Sequence, residues 1–307
     1  MRVVSLIASA TEIVSGLGYG HCLVARSHEC DNPPDVLHLP AITSPKFELT
    51  GDSLDIDRQV KAVVADGLAV YHVDAEALER LKPDVIVTQD QCEVCAVSLA
   101  DVERAVCQWA GVQARIVSLK PDCLADLDAD IRRVAAALAD PAAGDRLIGG
   151  MRERIGRVAQ ATAALTRPRV AFIEWIAPLM SGGNWMPELI AAAGGDNLFG
   201  EAGKHSGYMT FEALAAADPD IIIVAPCGFD LERTRQEMPL LVGEPGWPAL
   251  SAVRSGRVAI ADGNLYFNRP GPGLAETAEI IGEILHPDHV DLGHKGRAWI
   301  PFGDFAH

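Results

Sequence analysis

The sequence predicts an α/β protein with two Rossmann-like α/β lobes joined by a long α-helix. The first observation is a repeated unit, "EALERLKPDVIV" at 76–87 and "EALAAADPDIII" at 212–223. Both copies read Glu-Ala-Leu, four further residues, Pro-Asp and then a β-branched apolar run. A helix followed by a strand is expected, because short apolar runs are typical of strands that are covered on both faces of a parallel sheet.

A second pair of segments repeats the start of each lobe. "TEIVSGLG" at 11–18 and "PELIAAAGG" at 187–195 each contain a glutamate, apolar residues and a closing glycine, and each follows a β-rich run. Strand, loop and helix therefore open both halves of the chain, and helix, Pro-Asp and strand follow later in both. We expect two lobes of the same design.

A different composition separates the two halves. Residues 124–165 are rich in Ala, Arg and Asp with helical periodicity, and Pro141 interrupts the pattern, so helices are expected at 125–139 and 142–165. The predicted parts are an N-terminal α/β lobe at 1–123, connecting helices at 124–166, a C-terminal α/β lobe at 167–287 and an irregular tail at 288–307.

The composition limits the function classes. The formal charge of −16 argues against nucleic acids and anionic membrane surfaces, because both require a basic protein face. No run approaches the roughly 20 apolar residues that span a bilayer. No secretory signal is visible at the start of the sequence, so a cytoplasmic location is expected. Seven cysteines at irregular spacing fit a reducing compartment better than a disulfide framework.

Candidate ligand-binding residues follow the predicted strands, because ligands of open α/β sheets bind beyond the carboxyl ends of the strands. In the first lobe they are Ser9, Ser27, His28, Glu29 and Gln89. In the second lobe they are Trp175, Trp185, Tyr208, Phe229, Tyr266, Phe267 and Arg269. Flat aromatic side chains on loops favour a large, partly apolar ligand. The alternative is that these aromatics pack the loops themselves.

Four residues of the first lobe form a candidate metal site. His28 and Cys30 follow one predicted strand, and Cys92 and Cys95 follow another, so all four converge if the two strands are neighbours. Three thiolates and an imidazole would bind zinc. Buried unreactive thiols, a redox dithiol and direct contact with a ligand are the alternatives.

Several segments resemble the class III substrate-binding proteins of ABC transporters, in particular the periplasmic cobalamin-binding branch. The matching segments, within residues 2–286, are "VVSLIASATEIVSGLG", "VARSHECDNPP", "EALERLKPDVIV", "GGDNLF", "FEALAAADPDIIIVAP" and "RVAIADGNLYF". The resemblance implies a ligand cleft between two rigid lobes, binding of cobalamin or a related corrinoid or tetrapyrrole without catalysis, and delivery to an ABC permease. Residues 46–73 look like an insertion with an extra helix.

The same resemblance implies a partner-docking role for Glu76 and Glu212, the first residues of the repeated unit, on arginines of the permease. The alternative is that both serve only the helix ends, where Asp74 and Thr210 are candidate N-caps.

The competing hypothesis is a cytoplasmic metal- or thiol-dependent enzyme on the same scaffold, using the four residues of the candidate metal site. A fold alone does not decide between binding and catalysis. The sequence contains no Ser-His-Asp elbow, phosphate-binding glycine loop or His-Glu-x-x-His helix, which favours the binding protein.

Overall fold

The structure is a computed structural model that describes residues 1–46, 50–65, 71–89 and 114–305, without the side chains of 63–65 and 304–305. The chain divides into two compact units. Unit 1 comprises Met1–Gly51, Asp55–Pro121 and Ala125–Gly150, and unit 2 comprises Asp52–Leu54, Asp122–Leu124 and Met151–His307. Both units combine a β-sheet with α-helices, which confirms the predicted α/β class.

Unit 1 is built on a four-stranded parallel sheet. Its strands are β1 (Val3–Ser5), β2 (Leu23–Ala25), β5 (Val85–Gln89) and β6 (Arg115–Leu119), in the order β2-β1-β5-β6. A separate antiparallel pair consists of β3 (Thr43–Pro45) and β4 (Tyr71–Val73). Every residue of β1 and β5 is buried, as expected for valine- and isoleucine-rich strands in the middle of a parallel sheet.

The helices in the first half of the described chain are α1 (Ala8–Gly16), α2 (Ser53–Ala65), α3 (Ala75–Leu81) and α4 (Leu124–Ala137). The helix α2 lies inside the segment that the sequence predicts as an insertion with an extra helix. Val4 of β1, Ile86 of β5 and Leu78 of α3 belong to one buried apolar cluster. The helix and the strand of the first Pro-Asp unit therefore share one core.

The predicted long connecting helix is present as α5 (Pro141–Thr162), which continues from residues of unit 1 into residues of unit 2. The expected helices at 125–139 and 142–165 thus correspond to α4 and α5. Proline at the first position of α5 suits a helix start, because that position needs no backbone donor.

Unit 2 contains a six-stranded sheet. Its strands are β7 (Arg169–Trp175), β8 (Met180–Ser181), β9 (Asp196–Asn197), β10 (Ile221–Val224), β11 (Val258–Ala261) and β12 (Trp299–Pro301). The order is β12-β11-β10-β7-β8, and β9 also pairs with β7. The central strands β7, β10 and β11 run parallel, whereas β8 and β12 are antiparallel to their neighbours.

The helices of unit 2 complete the α/β pattern. They are α6 (Met186–Ala192), α7 (Phe211–Ala217), α8 (Leu231–Val242), α9 (Ser251–Arg254) and α10 (Leu274–Leu285). Short 3-10 helices lie at Gly20–Cys22, Pro34–His38, Trp247–Ala249 and Phe302–Phe305, and a π-helix lies at Gly263–Phe267. Among the residues that the structure describes, no helix has both the length and the apolar character required to cross a bilayer.

The two copies of the Pro-Asp unit occupy equivalent positions in their units. The strand β5 pairs in parallel with β1, and β10 pairs in parallel with β7. The backbone N–H of Arg2 donates to Asp84 Oδ2 at 2.7 Å, and the backbone N–H of Arg169 donates to Asp220 Oδ2 at 2.7 Å. Each aspartate thus binds the start of the first strand of its unit, since Arg2 directly precedes β1 and Arg169 is the first residue of β7. The predicted repeat is confirmed down to individual hydrogen bonds.

Both copies also end the helix in the same way. Lys82 and Asp218 follow α3 and α7 in the left-handed conformation, with φ angles of 45° and 41°. Their backbone N–H groups donate to the carbonyls of Leu78 and Leu214. The next residue is proline in both copies, and proline at that position disfavours a further helical turn because it lacks a backbone N–H donor.

The segment predicted as an irregular tail contains β12, so that prediction was wrong for this strand. Trp299 pairs with Ala261 of β11. The buried carboxylate of Glu283 in α10 accepts hydrogen bonds from the backbone N–H groups of Leu292 and His294 and from Trp299 Nε1. One carboxylate therefore satisfies three donors of the tail, which fixes the tail against α10.

Candidate functional site

The loop after β2 carries three of the predicted ligand-binding residues, Ser27, His28 and Glu29. Thr43 of β3 contacts this loop through its hydroxyl, which lies 3.0 Å from the backbone nitrogen of His28, 2.7 Å from His28 Nδ1 and 3.0 Å from Ser27 Oγ. Tyr71 of β4 donates its hydroxyl proton to Glu29 Oε1 at 2.8 Å. The antiparallel pair β3–β4 therefore fixes the side chains at the carboxyl end of β2.

The imidazole of His28 is half-buried and tilted against the ring of Tyr71, with 5.0 Å between the ring centroids. Burial lowers the pKa of His28 below its usual value, the Glu29 carboxylate opposes this shift and the Arg26 guanidinium adds to it. His28 is therefore neutral at neutral pH, which is the form in which imidazole binds a metal ion.

Thr43 and Tyr71 were not among the residues predicted from the sequence. Both belong to short strands, and neither stands in a motif. Their role depends on the pairing of β3 with β4, which places Thr43 opposite Val73. Thr43 lies just before the predicted insertion at 46–73 and Tyr71 lies near its end, so a search for hydroxyl side chains around both ends would have found them.

Cys30 is a buried thiol in the same loop. Its side chain is fully inaccessible to solvent, and Thr11 Oγ1 lies 3.0 Å from its sulfur. Burial raises the pKa of the Cys30 thiol, and the hydrogen bond with Thr11 offsets this only in part. Of the alternatives for Cys30, the structure favours a buried unreactive thiol, since zinc binding and redox chemistry need a thiolate.

The other two members of the candidate metal site, Cys92 and Cys95, lie outside the described residues. A site formed by His28, Cys30, Cys92 and Cys95 therefore stays a prediction. Within residues 1–46, 50–65, 71–89 and 114–305, no group of three or more His, Cys, Asp or Glu side chains is arranged to hold a metal ion.

Ser9 and Gln89 lie beyond or at the carboxyl ends of the neighbouring strands β1 and β5. Ser9 is in the first turn of α1 and Gln89 is the last residue of β5, and both side chains are buried. The Ser9 hydroxyl has no hydrogen-bond partner among the described residues. Ile7, the N-cap residue of α1, provides no side-chain hydrogen bond. The start of α1 thus offers a hydroxyl and backbone donors to a polar atom.

In unit 2, Trp175 ends β7 and is the half-buried aromatic residue of the predicted set. Its Nε1 donates to the carbonyls of Ala177 and Ser53, at 3.0 Å and 3.2 Å. Phe229 packs against it with 5.1 Å between ring centroids, and the guanidinium of Arg233 covers the Phe229 ring at 5.0 Å. These contacts hold both aromatic rings in place after β7 and β10.

Other predicted aromatics of unit 2 pack against the protein itself. Trp185 is buried and donates Nε1 to the carbonyl of Phe267 at 3.1 Å, and Phe267 stacks on Phe172 with 5.6 Å between ring centroids. Tyr266 is buried and accepts a hydrogen bond from Arg297 at 3.1 Å. For these three residues the structure favours the alternative that aromatics pack the loops.

The remaining two predicted residues of unit 2 differ in exposure. Tyr208 is exposed, with 59% of its surface accessible. Arg269 is buried and donates to Asn264 Oδ1 at 3.0 Å. Contact of either residue with a ligand stays a prediction.

The repeated glutamates, Glu76 and Glu212, lie in the first turns of α3 and α7 and are exposed. The N-caps are the predicted ones: Asp74 accepts from the backbone N–H of Ala77, and Thr210 accepts from that of Ala213. The pKa of Glu212 is lowered by its own backbone N–H and by the Thr210 hydroxyl. Since Asp74 and Thr210 cap the helices, the glutamates are not needed as caps.

The family follows from a comparison with known proteins. The profile described as periplasmic binding protein matches residues 3–265. The chain belongs to the periplasmic binding protein family. This confirms the resemblance to class III substrate-binding proteins that the sequence motifs predicted.

Curated relatives within the family include two vitamin B12-binding proteins. The one from Pectobacterium atrosepticum is 23% identical over 241 residues, which cover 76% of this chain and 75% of the relative. The one from Photorhabdus laumondii is 23% identical over 289 residues, which cover 93% and 88%.

Solved structures of the family share the fold. The periplasmic vitamin B12 binding protein of Vibrio cholerae has a TM-score of 0.63 at 21% identity, over 93% of this chain and 96% of that one. A periplasmic heme binding protein from Pseudomonas aeruginosa has a TM-score of 0.69 at 23% identity, over 94% and 93%. At this identity the likeness supports the two-lobed architecture of the family and leaves the ligand open.

Proposed function

We propose that this protein binds cobalamin or a related metal-containing tetrapyrrole without chemically changing it, as the ligand-binding component of ABC-type uptake. The observation that carries the proposal is the match to vitamin B12-binding proteins over as much as 93% of the chain. Haem is the second candidate ligand, since structural relatives include periplasmic heme-binding proteins. Both ligands are large, flat and partly apolar, with a central metal ion.

The described residues support this ligand class from both units. In unit 1, a neutral imidazole and the carboxylate of Glu29 follow β2, each with a fixed hydrogen-bond partner. In unit 2, Trp175 at the end of β7 offers a half-buried indole ring. Each of these groups lies at or beyond the carboxyl ends of the strands of its own sheet, where ligands of open α/β sheets usually bind. An aromatic ring can stack on a flat ligand, and polar groups can bind its substituents or metal.

Calorimetric titration of the purified protein with hydroxocobalamin and with haemin tests the proposal. We expect a dissociation constant of about 1 μM or tighter for at least one of them, equivalent to about −8 kcal/mol. Ferric citrate, an iron complex without a tetrapyrrole, serves as the control and should give no binding heat. The proposal fails if neither tetrapyrrole binds at concentrations up to about 1 mM.

The same preparation distinguishes the proposal from the competing enzyme or metal protein. Corrinoid or haem absorption bands in freshly purified protein would support the tetrapyrrole proposal. A colourless protein that holds one zinc ion per chain would instead support a zinc site at His28, Cys30, Cys92 and Cys95. Zinc is therefore the alternative bound species, and its content is measured by atomic emission.

Docking of Glu76 and Glu212 on an ABC permease is proposed for the partner. Both carboxylates are exposed, one in each unit, at equivalent positions of the repeated unit. The double variant Glu76→Lys/Glu212→Lys should lose co-sedimentation with membrane vesicles that contain the permease, because like charges would then face the permease arginines. Ligand affinity and thermal unfolding should change little.

The matched control is Glu79→Lys/Glu201→Lys, which makes the same change in net charge at two other exposed glutamates. It should keep the vesicle binding. An equal loss of vesicle binding in both double variants would show that net charge, and not the position of Glu76 and Glu212, determines the binding. Damage to the helix ends is expected instead from Asp74→Ala, at about 1 kcal/mol.

The cytoplasmic location stays a prediction, and relatives are described as periplasmic. Cell fractionation with an antibody against the protein tests it. Recovery in the periplasmic fraction would overturn the prediction and leave the ligand proposal untouched.

A further inference from the structure

We propose that the two repeated glutamates contribute unequally to docking, because Arg80 competes with an arginine of the partner for the carboxylate of Glu76. Glu212 then supplies the larger share of the affinity for the partner. The inference deepens the proposed docking on an ABC permease and rests on it. It follows from a difference between the two copies of the repeated unit, one in unit 1 and the other in unit 2.

Glu76 forms an ion pair within its own helix. Its Oε2 atom lies 3.7 Å from Nη1 of Arg80, four residues later in α3. A glutamate four residues before a cation is the favourable order, because the two side chains share one face of the helix and the order suits the helix dipole. Glu79 does not replace Glu76 as the partner of Arg80, because adjacent residues of a helix do not face each other.

Glu212 forms no ion pair with the basic side chains that the structure describes. The residue four positions later is Ala216, which is exposed in α7. The groups that bind the Glu212 carboxylate are its own backbone N–H and the Thr210 hydroxyl, and both lower its pKa below the usual value. Its charge is therefore stabilised by neutral donors, and no cation has to leave when an arginine of the partner binds.

Net charge does not distinguish the two helices. The helix α3 contains Glu76, Glu79 and Arg80, two negative charges and one positive charge, and α7 contains Glu212 as its single charged residue. Both helices thus have one excess negative charge, and the long-range attraction of a basic surface is similar for both. The two helices differ at contact, where the carboxylate of Glu76 is already paired.

An arginine of the partner therefore meets different conditions in the two units. At Glu76 it must displace Arg80 or share the carboxylate with a like charge. At Glu212 its guanidinium can form a bidentate pair without displacing a cation. The side chains of Glu76 and Arg80 are 90% and 68% exposed, so their pair has the strength of an ordinary surface ion pair. Opening it should weaken docking at Glu76 by about 2- to 5-fold.

The experiment measures binding to membrane vesicles from the cells that naturally produce the protein, by co-sedimentation at low ionic strength. Glu212→Ala should raise the dissociation constant by about 2- to 5-fold more than Glu76→Ala does. Arg80→Ala should lower the dissociation constant by a similar factor, because the carboxylate of Glu76 is then unpaired before docking. Both differences should shrink as the salt concentration rises, because the charges are exposed.

A second variant moves the arginine from one copy of the repeated unit to the other. Arg80→Ala/Ala216→Arg keeps the net charge of the protein and places the cation four residues after Glu212. In this background Glu76→Ala should weaken vesicle binding more than Glu212→Ala, which is the reverse of the order expected for the natural sequence. Circular dichroism and thermal unfolding verify that each variant is folded.

The matched control is Arg157→Ala in α5. Arg157 pairs with Glu153 at the same spacing of four residues, at 3.0 Å, and both side chains are exposed. The substitution removes the same charge and the same kind of ion pair from a different helix, so vesicle binding should stay unchanged. If Arg157→Ala strengthens binding as much as Arg80→Ala does, net charge explains the effect and the inference is overturned.

The outcomes distinguish the inference from the proposed docking. If Glu76→Lys/Glu212→Lys abolishes vesicle binding while the exchange of Arg80 and Ala216 leaves the ratio of the two single losses unchanged, docking stands and the role of Arg80 is overturned. If the wild type does not bind the vesicles, or Glu76→Lys/Glu212→Lys still binds them, the proposed docking and the inference are both overturned.

Discussion

Glu283→Ala is expected to lower the free energy of unfolding by about 3 to 5 kcal/mol, because three donors lose their only shared acceptor at once. These donors are the backbone N–H groups of Leu292 and His294 and the indole N–H of Trp299. The carboxylate itself is 3% exposed, so water cannot replace it without opening the contact between α10 and the tail. Urea unfolding followed by circular dichroism measures the change.

Trp299→Phe is the matched control for this network, since it removes only one donor and keeps an aromatic ring in β12. Its expected cost is about 1 kcal/mol. Glu283→Gln should fall between the two, because an amide keeps an acceptor but presents N–H groups to a donor. An unfolding free energy for Glu283→Ala no lower than that for Trp299→Phe would contradict the role assigned to the carboxylate.

Asp130→Asn is expected to change the pH dependence of stability. Asp130 is 2% exposed in α4, accepts from the backbone N–H of Lys120 at 2.8 Å and is paired with Arg133. Burial raises the pKa of Asp130 from 3.8 to about 6, and the ion pair with Arg133 opposes this only in part. The folded state therefore holds this proton at pH values where the unfolded state has released it.

The raised pKa determines whether the protein gains or loses stability as the pH rises. The protonated side chain contributes stability that is fully present below pH 3.8 and is lost as the pH rises through about 6. Between pH 4 and pH 7 the wild type should therefore lose on the order of 2 kcal/mol relative to Asp130→Asn, a value discounted for solvent screening at the half-exposed Arg133. Urea unfolding of both proteins at each pH gives the difference.

Asp145→Asn provides the control, because Asp145 is 70% exposed and forms a surface ion pair with Arg132. The difference between this variant and the wild type should be nearly independent of pH over the same interval. A flat difference for Asp130→Asn as well would show that Asp130 is ionised in the folded protein throughout.

Much of the fold could be predicted because its signals are local. Pro-Asp ends a helix and starts a strand within a few residues, and Asp74 and Thr210 stand immediately before the helices they cap. The β12 strand was missed because its partner, β11, is distant in the sequence and its stretch is short. Glu283 resembles a solvent-facing helix residue by sequence, and only the returning tail buries it.

The candidate site likewise combines positions that local sequence signals predict with contacts that depend on tertiary packing. The position of His28 after a strand was readable, whereas its partner Thr43 depends on how β3 packs beside the loop. The aromatics could not be sorted by composition, because a tryptophan on a loop fits both a ligand and a core. Trp185 is a core residue since its indole N–H reaches the carbonyl of Phe267, a contact between two remote segments.

The first strands of the two units, β1 and β7, each pair with a strand that is translated much later. The strand ends at Ser5, yet one of its two neighbours, β5, begins only at Val85. In unit 2, β7 ends at Trp175, and its neighbour β10 begins only at Ile221. Pairings of this kind close long loops and slow folding. On the ribosome, the first strand of each unit can therefore pair early on one side, with β2 or with β8. Its other side stays unpaired until the Pro-Asp strand has been translated.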